Sequence, residues 1–154
     1  MIRVEKSSTA DTRTCDHSQV SMKQLAASSL SHIGDVQRGL GYMSGLLFIA
    51  GRKHDHDKIS DEGLAAFHKD FANNFETKDW WNNHRKVNRH HLNIPDGVPD
   101  DVDLVDVIEH VVDCVMAGMA RSGDFYMVEL PAELLQRAVK NTANKLVAQI
   151  EVVE

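Results

Sequence analysis

The sequence predicts an all-α protein of about five to six helices. Apolar residues recur at threes and fours along most of the chain, and residues that start or stop helices separate those stretches. Stretches that alternate like strands are nearly absent. The best candidate, Phe125 to Leu130, is short and runs into Pro131, so it reads equally as a loop entering a helix.

The elements follow in order. Residues 1 to about 16 are polar and read as a mobile or extended arm. The first helix runs from Ser18 or Ser28 to Gly51, with Ile33, Val36, Leu40, Met43, Leu47 and Ala50 as its core stripe. Its glycines weaken it and permit close packing. A second helix begins near Ser60 or Asp61 and carries Leu64, Phe67, Phe71 and Phe75. A third starts after Thr77, with Trp80, Trp81, His84 and Val87. The stretch NIPDGVPDD then breaks the chain, and Asp101 or Asp103 caps a fourth helix from Val102 to about Arg121. That helix is apolar nearly all round, which predicts a central, buried position. A fifth begins at Pro131 in the first helical position and lines up Leu134, Leu135, Ala138, Val139, Leu146, Val147 and Ile150.

Composition sets the outer bounds. With 154 residues, 42% hydrophobic and 26% charged, the chain fits one domain with its own core. That excludes wholesale disorder, collagen and coiled coil. A net charge of −6 disfavours a coat for extended nucleic acid, which wants a basic surface. Cys15 and Cys114 have no metal-ligand spacing and read as free thiols of a reducing compartment. The first residues lack the apolar stretch of a secretory signal, and the longest apolar run, Leu46 to Ala50, is too short to span a bilayer. The expectation is a cytoplasmic protein without a membrane partner.

What composition leaves unexplained is the histidine, nine residues, as many as Phe, Trp and Tyr together. His32 lies on the apolar side of the first helix, where a lone histidine is usually a core residue. His54-Asp55-His56-Asp57-Lys58 interleaves two histidines with two aspartates, which is unusual for a plain solvated turn. His84 and His91 are seven apart, so both leave one face, about 20° apart, if the helix persists that far. His90 would then point about 100° away from His91. As plain surface, HRKVNRHH is an exposed basic segment. Asp106, Glu109 and Asp113 fall at i, i+3 and i+7 on the apolar fourth helix. There they are a solvent edge, or else costly carboxylates that need a partner or a metal. Imidazole and carboxylate together are the ligand set of Zn, Mn, Fe, Co or Ni, and a carboxylate with several histidines suits a two-metal site.

The order His, His-Asp, His, His-His, Asp resembles the HD-domain superfamily of metal-dependent phosphohydrolases, over residues 28 to 121. HDHDKIS, HRKVNRHHLN and DVIEHVVD also resemble small phage and bacterial HD-like proteins, which implies a bacterial or phage-infected cytoplasm. The resemblance implies a single HD-like helical domain over 17–154 and, given the extra histidines, a two-metal centre. Two registers fit the doublet, His54-Asp55 and His56-Asp57. The first agrees with the pattern His-Asp-x-x-Lys through Lys58, and the second puts Ser60 at the lysine position. In the first register the implied ligands are His32, His54, Asp55, His84, His90 or His91 or both, and Asp113. Glu109, His56 and Asp57 then stand behind the ligands. Asp55 and Lys58 carry the catalysis, and Arg85, Lys86 and Arg89 join Lys58 in gathering the anionic substrate. The gap from His84 to His90-His91 is shorter than in better-known two-metal members.

The resemblance implies one or two divalent ions (Mn, Fe, Co, Ni or Zn, with Mg also possible) and hydrolysis of a small phosphorylated substrate, foremost a nucleotide or deoxynucleotide. Two other classes stand beside it: a di-iron oxygenase of the same fold, and a binding module that holds metal or nucleotide without turnover. The apolar fifth helix either finishes the core or forms a contact in a homo-oligomer.

Overall fold

The structure is a computed structural model that describes residues 1–6, 16–125 and 127–153. It is all-α in class. The five α-helices are α1 (Met22–Lys53), α2 (Asp61–Ala72), α3 (Asp79–Val87), α4 (Leu104–Ser122) and α5 (Ala132–Val147). Two four-residue strands, β1 (Ile2–Glu5) and β2 (Ile150–Val153), complete the order. No helix among the described residues is long and apolar enough to cross a membrane. The chain divides into two compact units, Met1–Gly45 with Ala143–Glu154, and Leu46–Thr142.

In the first unit β1 and β2 pair in parallel, with Ile2 opposite Ile150 and Glu5 opposite Val153. Ile2 is buried. Arg38 Nε donates to the carbonyl of Arg3 at 3.0 Å, which ties α1 to the strand. Part of the expected arm is therefore paired strand, and residues 7–15, including Cys15, lie outside the described residues. Ile33, Val36 and Leu40, read as core from their spacing, are exposed on α1.

The second unit holds the chemistry. Leu92, Val102 and Leu134 form its buried centre, with Val98, Val107 and Leu130 packed against them. Ser60 caps α2 by accepting from Gly63 N, and Asp61 and Glu62 in the first turn suit the positive end of the helix. Gly63 is required where it stands, because a Cβ there would overlap the carbonyl oxygen of Asp57. Lys78, before α3, supplies no side-chain cap. Buried Asp70 of α2 supplies it instead, accepting from Trp80 N at 3.0 Å and from Thr77 Oγ1 at 2.8 Å.

α3 stops at Val87, because Asn88 turns extended (φ −104°, ψ 111°). His90 and His91 thus leave the helix, and the seven-residue face expected for His84 and His91 does not exist as helix. α4 starts at Leu104, two residues later than expected, through a reciprocal cap between Asp103 and Asp106. It ends at Gly123, whose φ of 74° lies in the left-handed region that glycine adopts without penalty. The expectation that α4 is buried all round is corrected: Ile108, Val111, Val112, Met116 and Met119 are exposed. α5 buries Leu134, Ala138 and Thr142, whereas Leu135, Val139 and Val147 of its expected core face are exposed and Ile150 belongs to β2. The Thr142 hydroxyl accepts from Leu104 N at 2.8 Å, fixing α5 against the start of α4. No strand forms at Phe125 or over 127–130, and Tyr126 lies outside the described residues.

Candidate metal centre

The site grows from a break in the chain. α1 ends at Lys53, and Asp55 then adopts φ 50° and ψ 30°, a left-handed conformation that aspartate tolerates better than most residues. This kink leads into a single tight turn, His56–Lys58. His54 and Asp55 thereby face the same space as His84 of α3, His90 and His91 of the following turn, and Glu109 and Asp113 of α4.

Two donor groups form there, with every donor atom of a group within 4.8 Å of the others. One is His54, Asp55 and His90, and the other is Asp55, His84 and His91. Asp55 belongs to both. Its Oδ1 lies 3.4 Å from His84 Nε2 and 3.5 Å from His90 Nε2, and its Oδ2 lies 3.6 Å from His54 Nε2. Asp113 stands beside the first group without belonging to it, with Oδ1 3.7 Å from His54 Nε2 and Oδ2 3.9 Å from His90 Nε2.

These separations are too long for good hydrogen bonds. They suit donors that share an ion, since two atoms each about 2.1 Å from one metal at a tetrahedral angle are about 3.4 Å apart. The buried atoms give the same answer. Asp55 Oδ1, both ring nitrogens of His90 and His91 Nε2 are shut away from solvent with no hydrogen-bond partner. Orphaned polar atoms are expensive, and a cation held among them would satisfy those that face Asp55. The described residues thus include His/Asp groups that can hold a metal ion.

Carboxylates stand behind the imidazoles and orient them. His54 Nδ1 donates to Glu109 Oε1 at 3.0 Å, and His90 Nδ1 stands 3.0 Å from the same oxygen. His84 Nδ1 pairs with Asp57 at 2.8 Å. Asn88 Nδ2 donates to Asp57 Oδ1 at 2.8 Å and to the His84 carbonyl at 3.0 Å. At His54 and His84 the carboxylate takes the Nδ1 hydrogen and leaves Nε2 as the bare donor, the arrangement metal-ligating histidines use. Stacking adds rigidity: the Trp80 ring lies 4.4 Å from that of His84, and Trp81 meets His91 edge-on at 5.3 Å.

The electrostatics follow from this packing. Burial pushes the Glu109 carboxyl up, but its contacts with His54 and His90 outweigh that and hold it down at about 2. The Glu109 hydrogen bond in turn raises His54. Burial also pushes Asp55 up, and the Lys58 ammonium overcomes it, so the carboxyl lies below its ordinary value. His84 is lowered by burial despite Asp57, and His91 falls to about 3 through burial beside His90 and His84. A neutral imidazole is the form that binds metal.

The remaining candidates are placed differently. His32 is exposed on α1 in the first unit and belongs to neither donor group. His56 is exposed, with Nδ1 3.0 Å from the Lys53 carbonyl oxygen. Asp57, its neighbour in the second register, stands behind His84 and is in neither donor group. Lys58 Nζ pairs with Asp55 Oδ2 and lies 5.9 Å from the rings of Phe67 and Trp80. Arg85 pairs with Asp96 at 3.0 Å, and Lys86 is exposed. Arg89 is held by Asp106 at 2.7 Å and Asp101 at 2.9 Å, so Asp106 of the expected carboxylate stripe serves this pair and the α4 cap. Asn88 was missed from sequence, because an asparagine four residues after a histidine carries no metal signal of its own.

Compared with protein-family models, with curated proteins and with solved structures, the chain finds no match.

Proposed function

We propose that the chain is a metal-dependent phosphohydrolase of HD type, acting on a small phosphorylated molecule, foremost a nucleotide or deoxynucleotide. The observation that carries the reading is Asp55, whose two oxygens face His54, His84 and His90 with no hydrogen bond to any of them. A carboxylate shared between two histidine groups is what a pair of divalent ions needs as a bridge.

A divalent ion, when bound, supplies a Lewis acid and a water of lowered pKa. The chain's own residues do the rest. Glu109 and Asp57 fix the rings whose Nε2 atoms point inward. The His84 and His90 side chains are 1% exposed, whereas those of His54 and Asp113 are 31% and 33% exposed. Substrate therefore approaches from the His54–Asp113 side. Lys58, beside Asp55, brings a positive charge to oppose the charge that gathers on phosphoryl oxygens during displacement.

Metal analysis of the purified protein, run with a phosphate-release screen over nucleotides and deoxynucleotides, tests the proposal. Phosphate release that chelator abolishes and added metal restores supports it. A metal-loaded protein that releases no phosphate from any member, but consumes oxygen in an iron-dependent way, overturns it in favour of an oxygenase. A loaded site with neither activity favours a binding module.

A further inference from the structure

A pocket of about 380 Å³ opens beside the first donor group, within the range of small-molecule sites. One end is formed by His54, Glu109 and Asp113. The walls are Leu47, Ala50 and Gly51 of α1, and Ile108, Val112 and Met116 of α4. His54 and Asp113, whose side chains are about a third exposed, both line it. It also accounts for part of the exposed apolar face of α4, since Ile108, Val112 and Met116 line a cavity that joins the polar centre.

The chemistry of the lining selects the occupant. None of its residues is Lys or Arg, and its formal charges, Glu109 and Asp113, are negative. A second phosphate placed here would meet carboxylates and no cation. An uncharged, largely apolar group would lose water on both faces and meet Met116, whose thioether adapts to flat rings.

We infer that this pocket holds the organic group of the substrate, and that the substrate presents a terminal phosphoryl group attached to an uncharged ring system or other apolar body. This rests on the phosphohydrolase reading and narrows it. Compounds whose phosphoryl group carries a further phosphate or a charged group into this pocket are excluded as good substrates.

The test uses binding, so that it stands apart from turnover. Phenylphosphonate, 1-naphthylphosphonate and methylphosphonate are titrated calorimetrically into the manganese-loaded protein and into two variants, Gly51→Leu and Ala50→Leu. A Cβ at Gly51 meets no atom within 4 Å, so a side chain there has room, and replacing a helical glycine favours the helix. Metal content is measured on each sample first. The inference expects the aryl phosphonates to bind roughly tenfold or more tighter than methylphosphonate. It expects that advantage to fall below about threefold in at least one variant, with methylphosphonate affinity and metal content unchanged. Equal affinities for aryl and methyl compounds in the wild type overturn it. So does an aryl advantage that survives in both filled variants, or a self-association that buries the pocket and excludes all three ligands. Failure of the wild type to take up metal is a separate result, which removes the phosphohydrolase reading and this inference with it.

Discussion

Asp57 accepts a hydrogen bond from Nδ1 of His84 at 2.8 Å, and this one contact decides which nitrogen of a buried ring faces Asp55. Asn88 holds the carboxylate from the other side. Asp57→Asn keeps the shape but removes the charge that fixes the tautomer. The expected result is a loss of about 10- to 100-fold in metal affinity at the group containing His84 and His91, with helical content unchanged. Titration against a competing chelator measures it, and an affinity equal to wild type contradicts the role given to Asp57.

Glu109 performs the same task for the other group. Glu109→Gln keeps the shape but removes the negative charge that holds Nδ1 of His54 and lies 3.0 Å from Nδ1 of His90, so the orientation of both rings weakens. Affinity falls by about 10- to 100-fold at the group containing His54 and His90, while the second group keeps its affinity. The two substitutions therefore weaken different sites in a two-site titration. If each weakens both sites equally, the groups do not act as separate centres.

Gly63→Ala tests how the site is held from behind. The added methyl meets the Asp57 carbonyl, which is backbone and cannot swing aside. Overpacking of this kind costs about 1–3 kcal/mol, read as a lower urea midpoint. Metal affinity falls as well, because Asp57 must shift away from His84. A variant with wild-type stability and affinity contradicts the close approach of α2 to the turn His56–Lys58.

Arg89 separates two roles. Its guanidinium joins Asp106, 4% exposed, to Asp101, and the two carboxylates raise its already high pKa further. Asp106 also caps α4. Arg89→Ala leaves Asp106 without its cation, at a cost of about 1–2 kcal/mol after allowance for the half-exposed arginine. The measurements are the urea midpoint and KM for the best substrate of the nucleotide screen. A lower midpoint with unchanged KM fits a structural residue. An unchanged midpoint with a raised KM would instead make Arg89 a substrate contact.

Much of this was legible in the chain itself. The spacing of apolar residues marked the helices, Ser60 marked the start of α2, and the density of His and Asp at 54–58 and 84–91 marked the segments that meet in the two donor groups. What failed depended on contacts distant in sequence. The pairing of Ile2–Glu5 with Ile150–Val153 joins the two ends of the chain, and no local pattern announces it. The end of α3 at Val87 is set by the extended Asn88, which itself hydrogen-bonds Asp57, so a helix-based geometry for His84 and His91 could not have been right. These two rings still meet, 4.8 Å apart, because the turn after α3 folds His91 back. An apolar helix looks alike in sequence whether it faces a core, a pocket or solvent, and α4 turns Ile108, Val112 and Met116 to a pocket while Val111 and Met119 are exposed outside it.

Asp55 is common to the two donor groups that could each hold a metal ion. The direct measurement is the metal content per chain of the manganese-loaded wild type, Asp55→Ala and His84→Ala, by elemental analysis, with circular dichroism confirming that each is folded. The expected result is about two ions in the wild type, about one in His84→Ala and close to none in Asp55→Ala. Full metal content in a folded Asp55→Ala variant would contradict it.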